Sequence, residues 1–354
     1  MNRLAKKTIS FIIPCYNSAE YMDNCIQSLV NLNSDKDDIE IIIVDDGSQI
    51  DNTLQKAIEW QKKYPSIIQV IHQENGGHGQ AINTGLSRAS GLYFKVVDSD
   101  DYLDYKATMP TMDYLRKQVI REENEEQATD LILTNFVYNK VPANRLHPIA
   151  YDNIFPQNRE FSWNDIKTFY PWQTLKMHSA IYKTQILRDI NLQLPKGLFY
   201  VDVIFLTIPL PYVKTIYYIN TNMYMYYIGR PDQSVNEKVI MSRYKQLIDV
   251  VKITINELNI KEVQKYPKLE KYIYHFLASV ILVCTIILRV TNTNETNKAR
   301  KDMWNYIKEY DIDLYRSITK QLITRLSNIS GEFGRQLCVI GYKISKILIP
   351  YTSE

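Results

Sequence analysis

Short apolar runs alternate with amphipathic stretches over the first hundred residues, and this alternation predicts strands and helices in turn. Residues 18–32 place Tyr21, Cys25, Ile26 and Leu29 at helical spacing. The apolar runs are nearly uninterrupted, which is typical of parallel strands that are buried on both faces. The predicted strands lie at 8–17, 39–48, 67–73 and 91–101, with predicted helices at 18–32, 53–64 and 77–90 between them. The pattern therefore predicts an α/β fold with a mostly parallel, Rossmann-like sheet flanked by helices.

Polar side chains cluster where these predicted strands end. Asn17 follows the first strand, Asp45 and Asp46 end the second, and Asp98 and Asp100 end the fourth. In open α/β sheets, ligands bind beyond the carboxyl ends of the strands. Three strand ends therefore point to one crevice, which is the predicted functional site.

Four carboxylates follow the fourth strand within seven residues, namely Asp98, Asp100, Asp101 and Asp104. Like charges this close destabilise one another unless a cation lies among them. Mg²⁺ or Mn²⁺ is suited to such a site, because both ions accept one or two protein carboxylates together with substrate phosphates. The other interpretation is a turn whose aspartates cap a helix.

The composition adds few constraints. Apolar residues make up 45% and charged residues 23% of the chain, and the net charge of +3 gives no reason to expect a nucleic-acid partner. The four cysteines have the spacing of neither a zinc site nor a disulfide framework. Residues 272–288 form an apolar run at the lower length limit for a membrane span. Because it contains His275 and several hydroxyls, we interpret it as a buried helix in a helical C-terminal region.

Three segments taken together resemble the family 2 glycosyltransferases, which have a GT-A fold. They are ISFIIPCYNSAEYMDNCIQSLV, IEIIIVDDGS and ENGGHGQAINTGLSRASGLYFKVVDSDDYLD. The resemblance is close over residues 8–105 and looser up to 235. It implies transfer of a hexose or N-acetylhexosamine from a UDP-sugar, with inversion and with Mn²⁺ or Mg²⁺. The implied acceptor is a hydroxyl of a glycan or of a lipid-linked or cell-envelope saccharide. The chain lacks the Q-x-x-R-W motif of processive members, which favours a single addition.

The resemblance also implies roles for individual residues. Asp202, in GLFYVDVIFL, occupies the place of the catalytic base, and Asp100 that of the metal ligand. Asp46 occupies the place of the acid that accepts a hydrogen bond from uracil, and Arg230 lies in a loop that closes over the diphosphate. The residues implied for nucleotide-sugar binding are Pro14, Tyr16, Asn17, Asp46, Gly77, His78, Asn83, Lys95, Asp98, Ser99 and Arg230.

The chain departs from the family pattern at two of these motifs. Val201 precedes Asp202 where the family often has Glu, and Ile82 precedes Asn83 where it often has Arg. His78 or Lys95 is expected to supply the missing positive charge. A metal-dependent nucleotidyltransferase and a non-catalytic sugar- or nucleotide-binding protein of the same fold remain alternatives. Four aromatic residues either stack against the acceptor saccharide or belong to the core: Trp163, Trp172, Tyr182 and Tyr200.

The predicted organisation has three parts. Residues 1–105 form the nucleotide-sugar-binding half of the GT-A domain, 106–238 the acceptor-binding half, and 239–354 a helical region. Near the end of the chain, Ile340, Ile344, Ile347 and Leu348 share one side of a predicted helix, with lysines toward the other. We expect a cytoplasmic protein whose basic C-terminal helix either docks on its own core or contacts the inner face of the plasma membrane.

Overall fold

The computed structural model describes residues 7–34, 38–140, 145–229 and 237–348, and these residues contain one mixed sheet and a helical C-terminal region. The strands are β1 (Ile9–Cys15), β2 (Ile39–Asp45), β3 (Ile68–His72), β4 (Tyr93–Val96), β5 (Tyr102–Leu103), β6 (Leu131–Lys140), β7 (Arg145–Ile149), β8 (Ala180–Lys183) and β9 (Ile216–Ile228).

The α-helices follow the predicted alternation in the first hundred residues and then dominate the last third. They are α1 (Met22–Val30), α2 (Thr53–Lys63), α3 (His78–Arg88), α4 (Tyr105–Glu123), α5 (Thr184–Asp189), α6 (Asp202–Thr207), α7 (Glu237–Ser242), α8 (Tyr244–Glu257), α9 (Ile260–Val263), α10 (Pro267–Thr291), α11 (Asn294–Tyr310), α12 (Ile312–Lys320), α13 (Leu322–Ser327) and α14 (Gly331–Leu348).

The first four strands pair in the order β3-β2-β1-β4, and all of these pairings are parallel. Every residue of β1 is buried, as the uninterrupted apolar run predicts for a strand covered on both faces. The chain runs outward from β1 through β2 to β3 and then returns to the other side of β1. The strand order therefore reverses between β1 and β4. A ligand site is expected just beyond the carboxyl ends of these two strands, where Tyr16 and Asp98 lie.

Beyond β4 the sheet is mixed. Strand β8 is antiparallel to both β4 and β6, whereas β6 and the long strand β9 are parallel. The predicted α/β fold with a helical C-terminal region is confirmed, and its fully parallel part is the first half of the sheet. Strand β9 also pairs with β5, with Leu103 opposite Tyr224. This pairing brings tyrosines of β9 beside the aspartate-rich segment that precedes β5.

The chain divides into two compact units. The first comprises Met1–Lys167 and Leu175–Ile228, and the second comprises Thr168–Thr174 and Gly229–Glu354. The two predicted halves of the GT-A domain thus share one sheet. The boundaries predicted at 105 and 238 remain predictions.

Helix α10 is the central helix of the second unit. It contacts the helices α7 to α9 and α11 to α14. By length and composition it could cross a bilayer, but 61% of its most apolar 18-residue stretch is buried inside the structure. The ring Nε2 of His275 lies 3.2 Å from the carbonyl oxygen of Gln173. This environment agrees with the interpretation of residues 272–288 as a buried helix.

Gly91 allows a close contact between the β4 segment and β1. A methyl group at this position would lie 2.5 Å from the amide nitrogen of Ser10 and 2.6 Å from the carbonyl carbon of Ile9. Because these are main-chain atoms of a buried strand, they cannot move aside without disturbing the sheet. We expect Gly91→Ala to lower the free energy of unfolding by about 1–3 kcal/mol, measured by urea denaturation. Gly341→Ala is the control, since a methyl group there meets nothing within 4 Å. An equal loss in both variants would contradict the packing argument.

Candidate active site

The aspartates that follow β4 form a tight turn. The amide of Asp101 donates to the carbonyl of Asp98 at 3.0 Å, so Ser99 and Asp100 lie at the tip of the turn. The Ser99 hydroxyl donates to the Ser18 hydroxyl at 2.8 Å, which ties the turn to the segment after β1. The turn therefore lies at the reversal point of the sheet, where a ligand site is expected.

Asp98 lies between two histidines. One carboxylate oxygen is 2.9 Å from Nε2 of His78, and the other is 3.5 Å from Nε2 of His178. Burial alone would raise the pKa of Asp98, but the hydrogen bonds from His178 and His78 outweigh it and hold the pKa well below its usual range. For His78, burial would lower the pKa, but the bond to Asp98 and the charges of Asp98, Asp202 and Asp100 raise it. Asp98 is thus an ionised acid, and His78 stays cationic to a higher pH than an ordinary histidine.

Asp101 is more deeply buried than Asp98. It is fully buried and accepts hydrogen bonds from the Tyr224 hydroxyl at 2.6 Å and the Tyr227 amide at 2.8 Å. Burial, together with the charges of Asp100 and Asp98, raises its pKa well above the usual value. The Tyr224 hydroxyl also accepts from the Asp98 amide at 3.1 Å, so one tyrosine holds both ends of the turn.

The remaining two acids differ in their surroundings. Asp104 caps helix α4 by accepting from the Ala107 amide at 2.8 Å, so the helix-capping interpretation is correct for this one residue. Asp100 is half-buried at the tip of the turn. Donor atoms of Asp98, Asp101 and His178 lie within 4.8 Å of one another, which is close enough to surround a cation. His178 Nδ1 is buried and has no hydrogen-bond partner among the described residues. An Asp-Asp-His cluster is therefore present, and its carboxylate oxygens are the donors that Mg²⁺ and Mn²⁺ prefer.

The glycine-rich loop before α3 is held by the buried carboxylate of Asp46. That carboxylate accepts from the amides of Gly76 and Gly77 at 2.9 and 2.7 Å and from the Gln73 side chain at 2.7 Å. Asp46 is only 3% exposed. A carboxylate has about four acceptor positions, so one position remains for a further donor. The contact between Asp46 and uracil remains a prediction.

The other side of this loop packs against residues 194–197. The Gly197 amide donates to the Gly76 carbonyl at 2.7 Å, and a methyl group at Gly77 would lie 3.2 Å from the backbone of Gly197. Asn83 adds a two-point clamp, because its side chain donates to the Leu194 carbonyl at 2.8 Å and accepts from the Leu194 amide at 2.9 Å. Asn83 thus uses both ends of its amide on the chain segment that leads to Asp202.

Asp202 is the first residue of α6 and lies on the same side of the site as His78, whose pKa its charge helps to raise. Two residues earlier, Tyr200 adopts a left-handed backbone conformation with φ of 65°. Such a conformation is unusual for a bulky side chain, and strained residues of this kind cluster at functional sites. Asp202 therefore reaches the site through a segment that is clamped at Leu194 and strained at Tyr200.

Lys95 lies below the site and not in it. Its side chain is fully buried and donates to the carbonyl of His178 at 2.7 Å. Burial lowers its pKa to about 7 against the opposing charges of Asp98 and Asp101. Lys95 thus contacts the backbone of His178, whereas His78 contacts the Asp98 carboxylate. A contact between Lys95 and a diphosphate remains a prediction.

The other predicted site residues lie around the end of β1. Pro14 is buried within β1, whereas the Tyr16 side chain is 52% exposed. Asn17 accepts from the amides of Gln49 and Ile50, both at 3.2 Å, so it holds the loop after β2. Arg230 lies outside the described residues. Among the aromatic candidates for the acceptor, Trp163 and Tyr182 are fully buried core residues, whereas Trp172 is 75% exposed and Tyr200 is half-buried.

Sequence reasoning missed three contributors to this region. His178 and Tyr224 contact Asp98 but follow it by 80 and 126 positions, and neither lies in a motif. The third is a pair at the edge of the site, in which His72 Nδ1 lies 2.6 Å from the buried carboxylate of Asp45. The aspartate itself was visible as a strand-end acid, but its partner could be identified only from the parallel register of β2 and β3.

Comparison with known proteins agrees with this geometry. Residues 10–120 match the model of glycosyl transferase family 2. The poly(ribitol-phosphate) beta-glucosyltransferase of Bacillus spizizenii is 40% identical over 102 residues, which are 28% of this chain and 16% of that protein. The putative glycosyltransferase EpsH of Bacillus subtilis is 26% identical over 284 residues, 75% of this chain and 71% of that protein. The chain thus spans about a sixth of the first relative and most of the second.

The fold has a solved counterpart. The structure of S. aureus TarS 1-349 in complex with UDP-GlcNAc aligns with a TM-score of 0.65 at 19% identity, covering 94% of this chain and 89% of that one. At this identity the likeness concerns the fold alone, and it extends through the helical region that the family model does not cover. Together, the family match, the aspartate-rich turn and the shared fold show that residues 10–120 form a glycosyl transferase family 2 domain and that this chain has a GT-A fold.

Proposed function

We propose that this protein transfers a hexose or N-acetylhexosamine from a UDP-linked donor to a hydroxyl of a saccharide acceptor, with inversion at the anomeric carbon. One observation supports the proposal: the aspartate-rich turn, His78 and Asp202 lie together beyond the carboxyl ends of β1 and β4. A displacement needs these three functions in one place, since a leaving diphosphate requires neutralisation and an attacking hydroxyl requires a base.

The donor would bind along the ends of β1 and β2. The exposed ring of Tyr16 offers a face for the base, and Asp46 retains an acceptor position that suits the N–H of uracil. That TarS was crystallised with UDP-GlcNAc, and that another relative is a glucosyltransferase acting on poly(ribitol phosphate), supports a UDP-sugar and a cell-envelope saccharide. Asn17 and Asn83 contribute by positioning the surrounding chain.

A divalent cation fits the turn. Asp100 would hold it at the tip of the turn, with the ionised carboxylate of Asp98 beside it. When bound, Mn²⁺ or Mg²⁺ would supply positive charge for the diphosphate of the donor. His78 adds cationic charge at the amino terminus of α3, in the region where Ile82 replaces the arginine that is frequent in the family. The protein's own residues thus divide the task, with Asp98 held by its two histidines and Asp100 directed to the ion.

Asp202 would act as the general base. The acceptor oxygen bonds to the anomeric carbon as the bond from that carbon to the diphosphate oxygen breaks, and the hydroxyl proton passes to the Asp202 carboxylate. Such a base contributes about 10²–10⁴ in rate. Its place at the start of α6, beside the amino terminus of α3, supports this role.

The direct test is release of UDP from a panel of UDP-sugars, with GDP-mannose as the comparison donor, in the presence of Mn²⁺. We expect slow hydrolysis of one or more UDP-sugars that EDTA abolishes, and Asp100→Asn should lose this activity while melting normally. Asp104→Asn is the matched control from the same motif, because asparagine also caps helices well. Full activity in EDTA would exclude the metal, and equal use of GDP-mannose would exclude uracil recognition.

Replacing Asp202 separates catalysis from donor binding. Asp202→Asn keeps the size of the side chain but cannot accept a proton, so turnover should fall at least about a hundredfold with UDP affinity nearly unchanged. Turnover would be measured by UDP release and affinity by titration calorimetry. Asp189→Asn, an exposed acid at the end of α5, is the control. A loss of UDP affinity as large as the loss of rate would instead assign Asp202 to the donor site.

Asn83 is proposed to position Asp202 without touching the substrate. Asn83→Asp would set a carboxylate oxygen against the Leu194 carbonyl, break the clamp and release the segment 194–201. We expect faster hydrogen exchange at the Leu194 amide and a turnover lower by on the order of tenfold to a hundredfold, since small misplacements of a catalytic group are costly. Asn31→Asp, at the exposed end of α1, is the control. Slow turnover with unchanged exchange at Leu194 would show that Asn83 acts on the substrate directly.

A further inference from the structure

Helix α13 buries its hydroxyl side chains and exposes its large apolar side chains, which is the reverse of the orientation expected in water. Its hydroxyl residues Thr324 and Ser327 are 1% and 4% exposed, whereas Leu322 and Ile323 are 69% and 59% exposed. Leu326, one turn after Leu322, is also exposed. The buried Ser327 hydroxyl is satisfied by the Thr324 carbonyl of the same helix, at 2.9 Å. A helix in water gains stability by burying its large apolar side chains, so this orientation indicates that something apolar covers the exposed side.

The exposed apolar side chains continue into α14, which contacts α13. Phe333 is 73% exposed, and Ile340 and Ile344 are 54% and 50% exposed. These three residues are spaced by seven and four positions, so they lie along one stripe of the helix. We call these residues the α13–α14 surface, whose members are Leu322, Ile323, Leu326, Phe333, Ile340 and Ile344. Large apolar side chains exposed on two contacting helices are unusual on a monomer and indicate an interaction surface.

The charge around this surface is basic. Residues 320–354 contain five basic and two acidic residues, and their net charge of +3 equals that of the whole chain. Lys320, Arg325 and Lys343 are exposed within or beside the apolar residues. The acid within α14, Glu332, is paired with Arg335. All of the excess positive charge of the protein is therefore concentrated in the segment that exposes apolar side chains.

Hydrogen bonds from α10 and α11 hold the backbone of the α13–α14 surface in place. The buried Arg289 of α10 donates to the Ile329 carbonyl at 2.6 Å, and Arg300 of α11 donates to the Asn328 side chain at 2.9 Å. Both contacts hold the short connection between α13 and α14. The exposed apolar residues are thus presented by an anchored turn and not by a loose end of the chain.

We propose that the α13–α14 surface binds the surface of an anionic lipid bilayer. Apolar side chains flanked by exposed lysine and arginine are the composition that places a helix in the interface between headgroups and acyl chains. A second copy of the chain fits less well, because a twofold contact places the same patch of both copies together and would bring basic residues against each other. This proposal is independent of the proposed catalytic activity and extends the basic C-terminal helix predicted from sequence to include α13.

The test uses the full chain and sedimentation with vesicles of phosphatidylcholine, with or without phosphatidylglycerol. We expect the protein to sediment with the anionic vesicles at low salt. It should be released at high salt, because salt screens the attraction between the basic residues and the anionic lipids. It should remain in the supernatant with phosphatidylcholine alone. Binding to neither vesicle, or salt-independent binding to both, would overturn the proposal.

Variants separate the contributions of the surface. The triple change Leu322→Ser, Leu326→Ser and Phe333→Ser should weaken partitioning by about tenfold or more, and Arg325→Gln with Lys343→Gln should weaken it on anionic vesicles. Ile120→Ser, which replaces an equally exposed apolar residue of α4, is the control and should bind as the unchanged protein does. All substitutions replace exposed side chains, so melting curves should be unaltered. Sedimentation equilibrium completes the test, since a dimer that the triple change dissociates would assign the surface to self-association and overturn the lipid assignment.

Discussion

The buried carboxylate of Asp46 is the contact on which the rest of the site depends. It satisfies two consecutive amides of the glycine loop from one side, while the backbone of Gly197 closes on the loop from the other. Three parts of the chain that are far apart in sequence are thereby fixed at one point. If the loop moved away, the buried Asp46 carboxylate would lose these hydrogen bonds, and its desolvation would no longer be compensated. The loop is therefore held in place. The glycines are required here for close packing, and the positive φ of 82° at Gly77 also favours glycine.

The aspartate-rich turn holds several acids close together and limits their mutual repulsion. Each acid has a different environment: Asp98 is paired with histidines, Asp101 is buried against tyrosine donors, and Asp104 caps a helix. Asp100 lies between Asp98 and Asp101, at the tip of the turn. The charge that appears concentrated in the sequence is therefore distributed in space over different partners. In the function proposed above, Asp100 would serve a cation while the partners of the other three acids keep the turn in place.

The first half of the sheet could be predicted because its signal is local. An apolar strand, an amphipathic helix and a polar strand end are each contained in about ten residues, and the parallel order follows from their alternation. The environment of Asp98 could not be predicted in the same way, because His178 and Tyr224 are distant in sequence and lie in unremarkable segments. Lys95 is the reverse case, because the sequence predicted it at the site and the structure buries it in the core. It stands three residues before Asp98, but the alternation of side chains along a strand directs it into the core.

Asn83 and α13 show that the type of a residue determines which contacts its side chain can make, but not which groups it contacts in the folded protein. The amide of Asn83 could have faced a nucleotide, yet both of its ends are used by the backbone of Leu194. The six residues of α13 are amphipathic in either orientation, and only their packing shows that the hydroxyls are buried and the leucines are exposed. Burial of Thr324 and Ser327 costs little because helical carbonyls can accept from such hydroxyls. Exposure of the leucines has no such compensation within the described residues. The two segments thus differ in what their contacts imply: the contacts of Asn83 are completed within the chain, whereas the exposed apolar side chains of α13 point to a binding partner.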